Sequence, residues 1–341
     1  MQQAARDVTR PKPERKDIQA LWGGILFSAL FTLLVWVLDF RLEPLRQTFL
    51  PDQGASWYFW KLPNPTFWTQ FSAWFLYLAH QILIWGLIYY AQTRVKKYTA
   101  GLHPVNVWAL GVNAVFVLLH LLQTHLFYDG LAQDVSIYSS QGSVIVLLVL
   151  VLIMENKRRG MFFGKKAPIK ATIVDAVRKY HGYFFSWAVV YTFWYHPMET
   201  TSGHLLGTFY TLMLMLQGSL FLTRIHVNRY WTLVQELLVV IHGSIVALSN
   251  TNGLWPMFAF GFLGIFIVTQ MHGLGWSRLT RWIITALFSG WVIYVYSGRG
   301  WDKLNEIVRI PVIDYVLVFV LAGLVWLLIW IGKGIRRFQR S

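Results

Sequence analysis

The sequence predicts an all-α integral membrane protein, a polytopic bundle of about ten transmembrane helices with both termini in the cytoplasm. Three observations predict it. The 341 residues are 56% hydrophobic and only 13% charged, whereas a soluble domain is about one quarter charged. Such a chain cannot cover its own surface with polar groups, so lipid must be part of its solvent. The apolar residues come in long unbroken runs rather than in alternation, which favours helices over barrel strands. Finally, Lys and Arg concentrate in every second loop.

Ten runs are long and apolar enough to span, near 20–40, 66–92, 105–127, 138–154, 182–197, 204–223, 231–250, 253–271, 282–298 and 312–332. The first follows a polar, basic stretch (1–16) and is too long for a signal core, so it reads as a first span rather than a cleaved leader. The second carries His80 and Gln81, and the third carries Asn113 and His120. The fourth and fifth are short. The sixth contains Gln217-Gly218-Ser219, a small-residue packing pattern. The seventh carries Gln235, Glu236 and His242, and the eighth carries Pro256 and Gly264. This divides the chain into a basic tail (1–19), one transmembrane helical domain (20–334) and a second basic tail (335–341).

The charges test the count. With the N-terminus in the cytoplasm, all 30 Lys and Arg fall on the cytoplasmic side except Arg41, Arg46, Lys61, Arg299, Lys303 and Arg309. A missed or invented helix would swap the sides of every later loop and destroy this asymmetry. The net charge of +15 therefore marks orientation and attraction to anionic lipid, and no nucleic acid is needed to explain it. If the cell is bacterial, the membrane is the inner one. The absence of cysteine excludes disulfides, thiolate metal ligands and thiol nucleophiles.

Two loops are unusual. The loop 41–65 carries Trp57-Tyr58-Phe59-Trp60, which fits either a segment lying at the membrane interface or a lid over a cavity. The loop 155–181 spaces Ile169, Ile173 and Val177 four apart among basic residues, as in a surface-lying amphipathic helix or a solvated basic loop.

Seven of the ten histidines lie in or beside the apolar runs: His80, His120, His125, His196, His204, His242 and His272. Titratable rings in hydrocarbon usually face protein or water and mark function. His120 and His242 fall at similar depth below the outer surface. Asn113 with His120, and Gln235 with His242 and Ser249, repeat every seven residues and so make polar stripes. His125, His196, His204, Asp129 and Glu199 collect at the outer lip. Glu236 is the one acid well inside an expected span, where it needs a partner, a proton or water.

Three functions follow as alternatives. In the first, a metal-dependent membrane enzyme acts on a lipid-like substrate. His120, His242, His196, His204 and His125 would hold iron, zinc or copper, and Glu199 and Glu236 would be the catalytic carboxylates. Asn113, Gln235 and Gln81 would line that site. In the second, a proton- or ion-coupled transporter moves a small solute past Glu236 and His80. In the third, haem b is held axially by His120 and His242, with His80 as a further cofactor ligand. No phosphate-binding loop, nucleophile elbow or HExxH box is present in the sequence.

Overall fold

The structure, a computed structural model, describes residues 15–53, 58–95, 101–249 and 253–338. The expectations for residues 1–14, Trp57, Lys96, Lys97 and the last three residues lie outside this range. Among the described residues all regular structure is helical. Ten long helices answer the ten expected segments: α1 (Arg15–Val37), α2 (Phe67–Arg94), α3 (Pro104–Leu126), α4 (Ile137–Arg159), α5 (Ala171–Tyr195), α6 (Ser202–Ser219), α7 (Arg229–Ser249), α8 (Trp255–Val268), α9 (Arg278–Arg299) and α10 (Glu306–Phe338). Eight are long and apolar enough to cross a membrane, α5 and α6 being the exceptions. Large apolar side chains such as Trp22, Leu26, Trp282 and Leu328 are more than half exposed, as expected for faces that hydrocarbon covers. Together these features suggest a membrane protein.

Three expectations about elements change. The stretch with Ile173 and Val177 is neither a surface-lying helix nor a solvated loop. It forms the first turns of α5, and both residues are buried. Its lysines and arginines hide it from any apolar-run criterion. The preceding residues are also ordered. Asn156 clamps the turn through Nδ2 to the Ala167 carbonyl (3.0 Å) and Oδ1 from the Ala167 amide (2.8 Å). Finally, α10 begins six residues before the expected 312, at Glu306; Asp314, already inside the expected segment, is 2% exposed. With Asp17 also buried in α1, Glu236 is not the only acid held inside a helix.

The chain divides into two compact units. Unit 1 comprises Met1–Ser140 and Phe185–Gln235, and unit 2 comprises Gln141–Phe184 and Glu236–Ser341. In unit 1, α1 packs on α6, α3 packs on α2, and α3 also meets α6. Gly24 permits the α1–α6 approach, because a Cβ there would stand 2.4 Å from Leu216 Cδ1. A threonine pair caps α2: the Thr69 amide donates to Thr66 Oγ1 and the Thr66 amide to Thr69 Oγ1. Pro104 occupies the first turn of α3, where its missing N–H costs nothing. In unit 2, α8 packs along α10. Gly261 and Gly264 receive Ile310 and Pro311 there.

Candidate functional site

One end of unit 1 is capped. There α1, α3 and α5 finish, α2 and α6 begin, and the residues after α1 fold over them. At its centre is Glu199, 1% exposed. Arg46 donates to Glu199 Oε2 from Nε (3.1 Å) and Nη2 (2.7 Å), and Tyr128 donates its hydroxyl proton to Oε1. Arg46 also meets Asp39 Oδ1 at 2.5 Å and Thr200 Oγ1 at 2.9 Å. Burial alone would lower the Arg46 pKa, but the Asp39 and Glu199 carboxylates outweigh it and hold the guanidinium above its ordinary value. Burial, reinforced by the Glu199 charge, pushes the Tyr128 phenol up. Both partners stay in the protonation state the network needs.

Tyr128 reaches Glu199 from a strained position, with φ of 44°. The chain then passes Gly130, where a Cβ would stand 2.6 Å from the Tyr195 carbonyl and 2.8 Å from His196 Cα. Only glycine allows that approach. Between them, Asp129 is 3% exposed. Its Oδ1 accepts from the Gly130 amide at 2.8 Å, and Oδ2 is buried with no partner of hydrogen-bonding geometry. Burial, opposed by the Gly130 N–H, pushes the carboxyl up to about 6.

The loop after α1 is a cover. Trp60 is 7% exposed. Its ring lies 5.5 Å from that of His196, 5.9 Å from His204 and 6.4 Å from Tyr195, edge to face. Tyr58 stacks on Trp60 at 4.9 Å, and Gln133 Nε2 donates to the Leu62 carbonyl at 2.7 Å. Beneath Trp60, the gap among Tyr128, Asp129, Gly130 and Pro197 is too small for a water molecule. The described residues of 41–65 therefore pack onto the helix ends over a filled gap, with no open cavity beneath Trp60.

Under the lid a polar column runs through unit 1. His196 and His204 stand with ring centroids 4.8 Å apart and perpendicular. His120, 1% exposed, donates from Nε2 to the His196 carbonyl at 3.2 Å and packs on Trp194 at 4.2 Å. The Trp194 indole N–H reaches His80 Nδ1 at 3.3 Å. His80 Nε2 donates to Asn113 Oδ1 at 2.8 Å, and Asn113 Nδ2 donates to Ser219 Oγ at 2.8 Å. Ser219 turns its own proton back to the Met215 carbonyl. This sequence of donors fixes the His80 tautomer, and the ring also stacks on Phe116 at 4.5 Å.

The expected site residues therefore fare differently. His196 and His204 do meet, and His120 joins them through a carbonyl. His80 has both ring nitrogens engaged, so neither lone pair is open to haem iron in this arrangement. His125 bonds its own helix, Nδ1 to the Leu121 carbonyl. His242 belongs to unit 2 and His120 to unit 1. Gln81 and Gln235 are buried, with side-chain amides lacking hydrogen-bond partners, whereas Ser249 is exposed. The α7 stripe is thus not uniformly turned inward. Glu199 cannot act as a free base while Arg46 and Tyr128 hold it. Glu236 has the partner its burial demands: Arg159 Nη1 at 2.9 Å and Nη2 at 2.5 Å. Among the described residues, no three His, Cys, Asp or Glu side chains gather closely enough to hold a metal ion.

Sequence reasoning missed Arg46, Tyr128, Gly130 and Trp194. The Arg46 signal was present, as one of six basic residues on the charge-poor side, next to an acid-bearing lip. No protein-family model, curated protein or solved structure matches the chain.

Proposed function

We propose that this chain is a ten-span membrane transporter for a lipid-like molecule, with cytoplasmic termini, whose outer gate is the Arg46–Glu199 latch and the Trp60 plug. The supporting observation is the lid itself. A loop tied down by one arginine to one buried carboxylate covers a polar column that continues through the unit. Breaking that ion pair would loosen it, leaving the Trp60 packing and the Gln133–Leu62 hydrogen bond as its remaining ties. Counting α5 and α6 as spans keeps 24 of the 30 Lys and Arg on one side.

The cysteine-free sequence makes the test direct. Pro197→Cys places a thiol beneath Trp60. A membrane-impermeant maleimide should label it slowly from outside, and about tenfold faster when Arg46→Ala is added, for a latch worth roughly 1.4 kcal/mol. Labelling from the cytoplasmic side, or a rate indifferent to both Arg46→Ala and Trp60→Ala, would sink the reading.

The pairing of His196 with His204 favours a second reading, a metal-dependent enzyme on a lipid-like substrate. Two imidazoles can seat zinc, iron or copper, with solvent completing the shell. Purified protein should then carry one metal per chain and lose it in His196→Ala and in His204→Ala.

A further inference from the structure

Away from the capped end, unit 1 has a hollow. Between α1, α3 and α6 lies a cavity of about 290 Å³, near the lower end for ligand sites, which run from about 300 to 1,000 Å³. Gly23, Gly24, Asn113, Ala114, Leu216 and Ser219 are among its lining residues. Small side chains create the space. A Cβ on Gly23 would meet nothing within 4 Å.

The polar atoms on its wall are already engaged. Ser28 Oγ donates to the Gly24 carbonyl at 2.8 Å. Ser219 donates to Met215, and Asn113 is held between His80 and Ser219. A cavity offering so few free hydrogen-bonding groups does not hold water well, and apolar cavities of this kind stay dry or take hydrocarbon. The lining residues lie over 20–28 in α1, 110–117 in α3 and 212–219 in α6, the middle of the first two helices and the last half of the third. In the ten-span orientation the cavity therefore runs from the middle of the bilayer toward the cytoplasmic end of α6. The neighbouring ends carry Lys16, Arg224 and Arg229, which attract anionic headgroups.

We infer that the α1–α3–α6 cavity binds one hydrocarbon chain of an anionic inner-leaflet phospholipid, with the Asn113–Ser219 pair as its polar floor. This deepens the transporter reading and rests on its orientation. It names the substrate class and the entry side.

The probe is phosphatidylglycerol with a diazirine near the end of one acyl chain, incorporated with the full-length protein into nanodiscs and photolysed. Peptide mapping should concentrate crosslinks on 20–28, 110–117 and 212–219. Gly23→Phe, which adds a ring on the open side of the cavity lining, should cut those crosslinks about fivefold. Gly111→Phe on the exposed face of α3 should leave them unchanged. Crosslinks spread evenly over all exposed apolar faces, or unaffected by Gly23→Phe, would overturn the inference. Should Gly23→Phe misfold, Ala114→Leu provides the same obstruction from another helix. The Pro197→Cys labelling is read in the same nanodiscs, so loss of the lipid site leaves the outer-gate result intact, and the reverse also holds.

Discussion

Each unit holds a buried Arg–Glu pair, and the two differ in what carries the arginine. In unit 2, Arg159 on α4 grips Glu236 on α7 through both carboxylate oxygens. Both partners ride on helices, and Gly273 makes room, since a Cβ there would lie 2.8 Å from Arg159 Cβ. In unit 1, Arg46 sits on a one-turn helix (Glu43–Arg46) in a loop, and engages Glu199 through one oxygen while sharing itself with Asp39. The same chemistry is a fixed strut in one unit and a releasable latch in the other. A buried pair contributes little over an apolar pair, yet breaking one side is costly. What differs is where that cost can be relieved. The loop can swing Arg46 away into water, whereas α4 and α7 cannot part Arg159 from Glu236 without disturbing their packing.

The largest expected effect tests the strut. Glu236→Ala or Arg159→Ala should destabilise the protein by about 3–5 kcal/mol, because each strands a buried charge. The double variant Arg159→Met/Glu236→Leu should recover most of that loss. Thermal unfolding in detergent measures both, and a harmless single variant would remove the distinction between the units.

Next in size is the backbone approach under the lid. Gly130→Ala should cost about 1–3 kcal/mol and loosen the Tyr195–His196 segment, since its Cβ would collide with main chain that cannot step aside. Hydrogen exchange over 193–199 should rise with it. Glu199→Gln comes third. It keeps the shape but drops the charge, so stability should fall by only about 1–2 kcal/mol while the loop becomes mobile. A fall as large as that for Glu236→Ala would make the latch a strut too.

The smallest effect is one of pH. The Asp129 carboxyl, pushed up to about 6 in the fold, binds its proton more tightly there than in the unfolded chain. Ionisation therefore removes stability as pH rises from about 4 to about 6, and the loss persists above that. Asp129→Asn should raise the melting midpoint by a few degrees at pH 8 and hardly at all at pH 4.5. Equal gains at both pH values would refute the burial of an ionised Asp129.

Much of the fold was legible because hydropathy and charge are local signals. Each run of apolar residues answers to a helix, within a few residues at most ends. The exceptions have physical causes. The first turns of α5 are amphipathic, so their Lys and Arg read as loop. The start of α10 carries Glu306 and Arg309, which an apolar window rejects. The site was legible only in part. His196, Glu199 and His204 are close in sequence, and their clustering was visible. The group that determines what Glu199 can do, Arg46, lies 153 residues away. Without it, a carboxylate among histidines looks like a ligand or a base. Likewise His80 looks like a free ring until Trp194 and Asn113 are placed on either side of it.

The central claim is that the loop after α1 is a lid held by the Arg46–Glu199 pair. The most direct test places spin labels at Leu50→Cys in the loop and Ser202→Cys at the start of α6, both exposed, in the otherwise cysteine-free chain. Pulsed electron resonance in nanodiscs should give one narrow distance distribution. Adding Arg46→Ala, or separately Glu199→Gln, should produce a second, longer population. An unchanged narrow distribution in both variants would contradict the account.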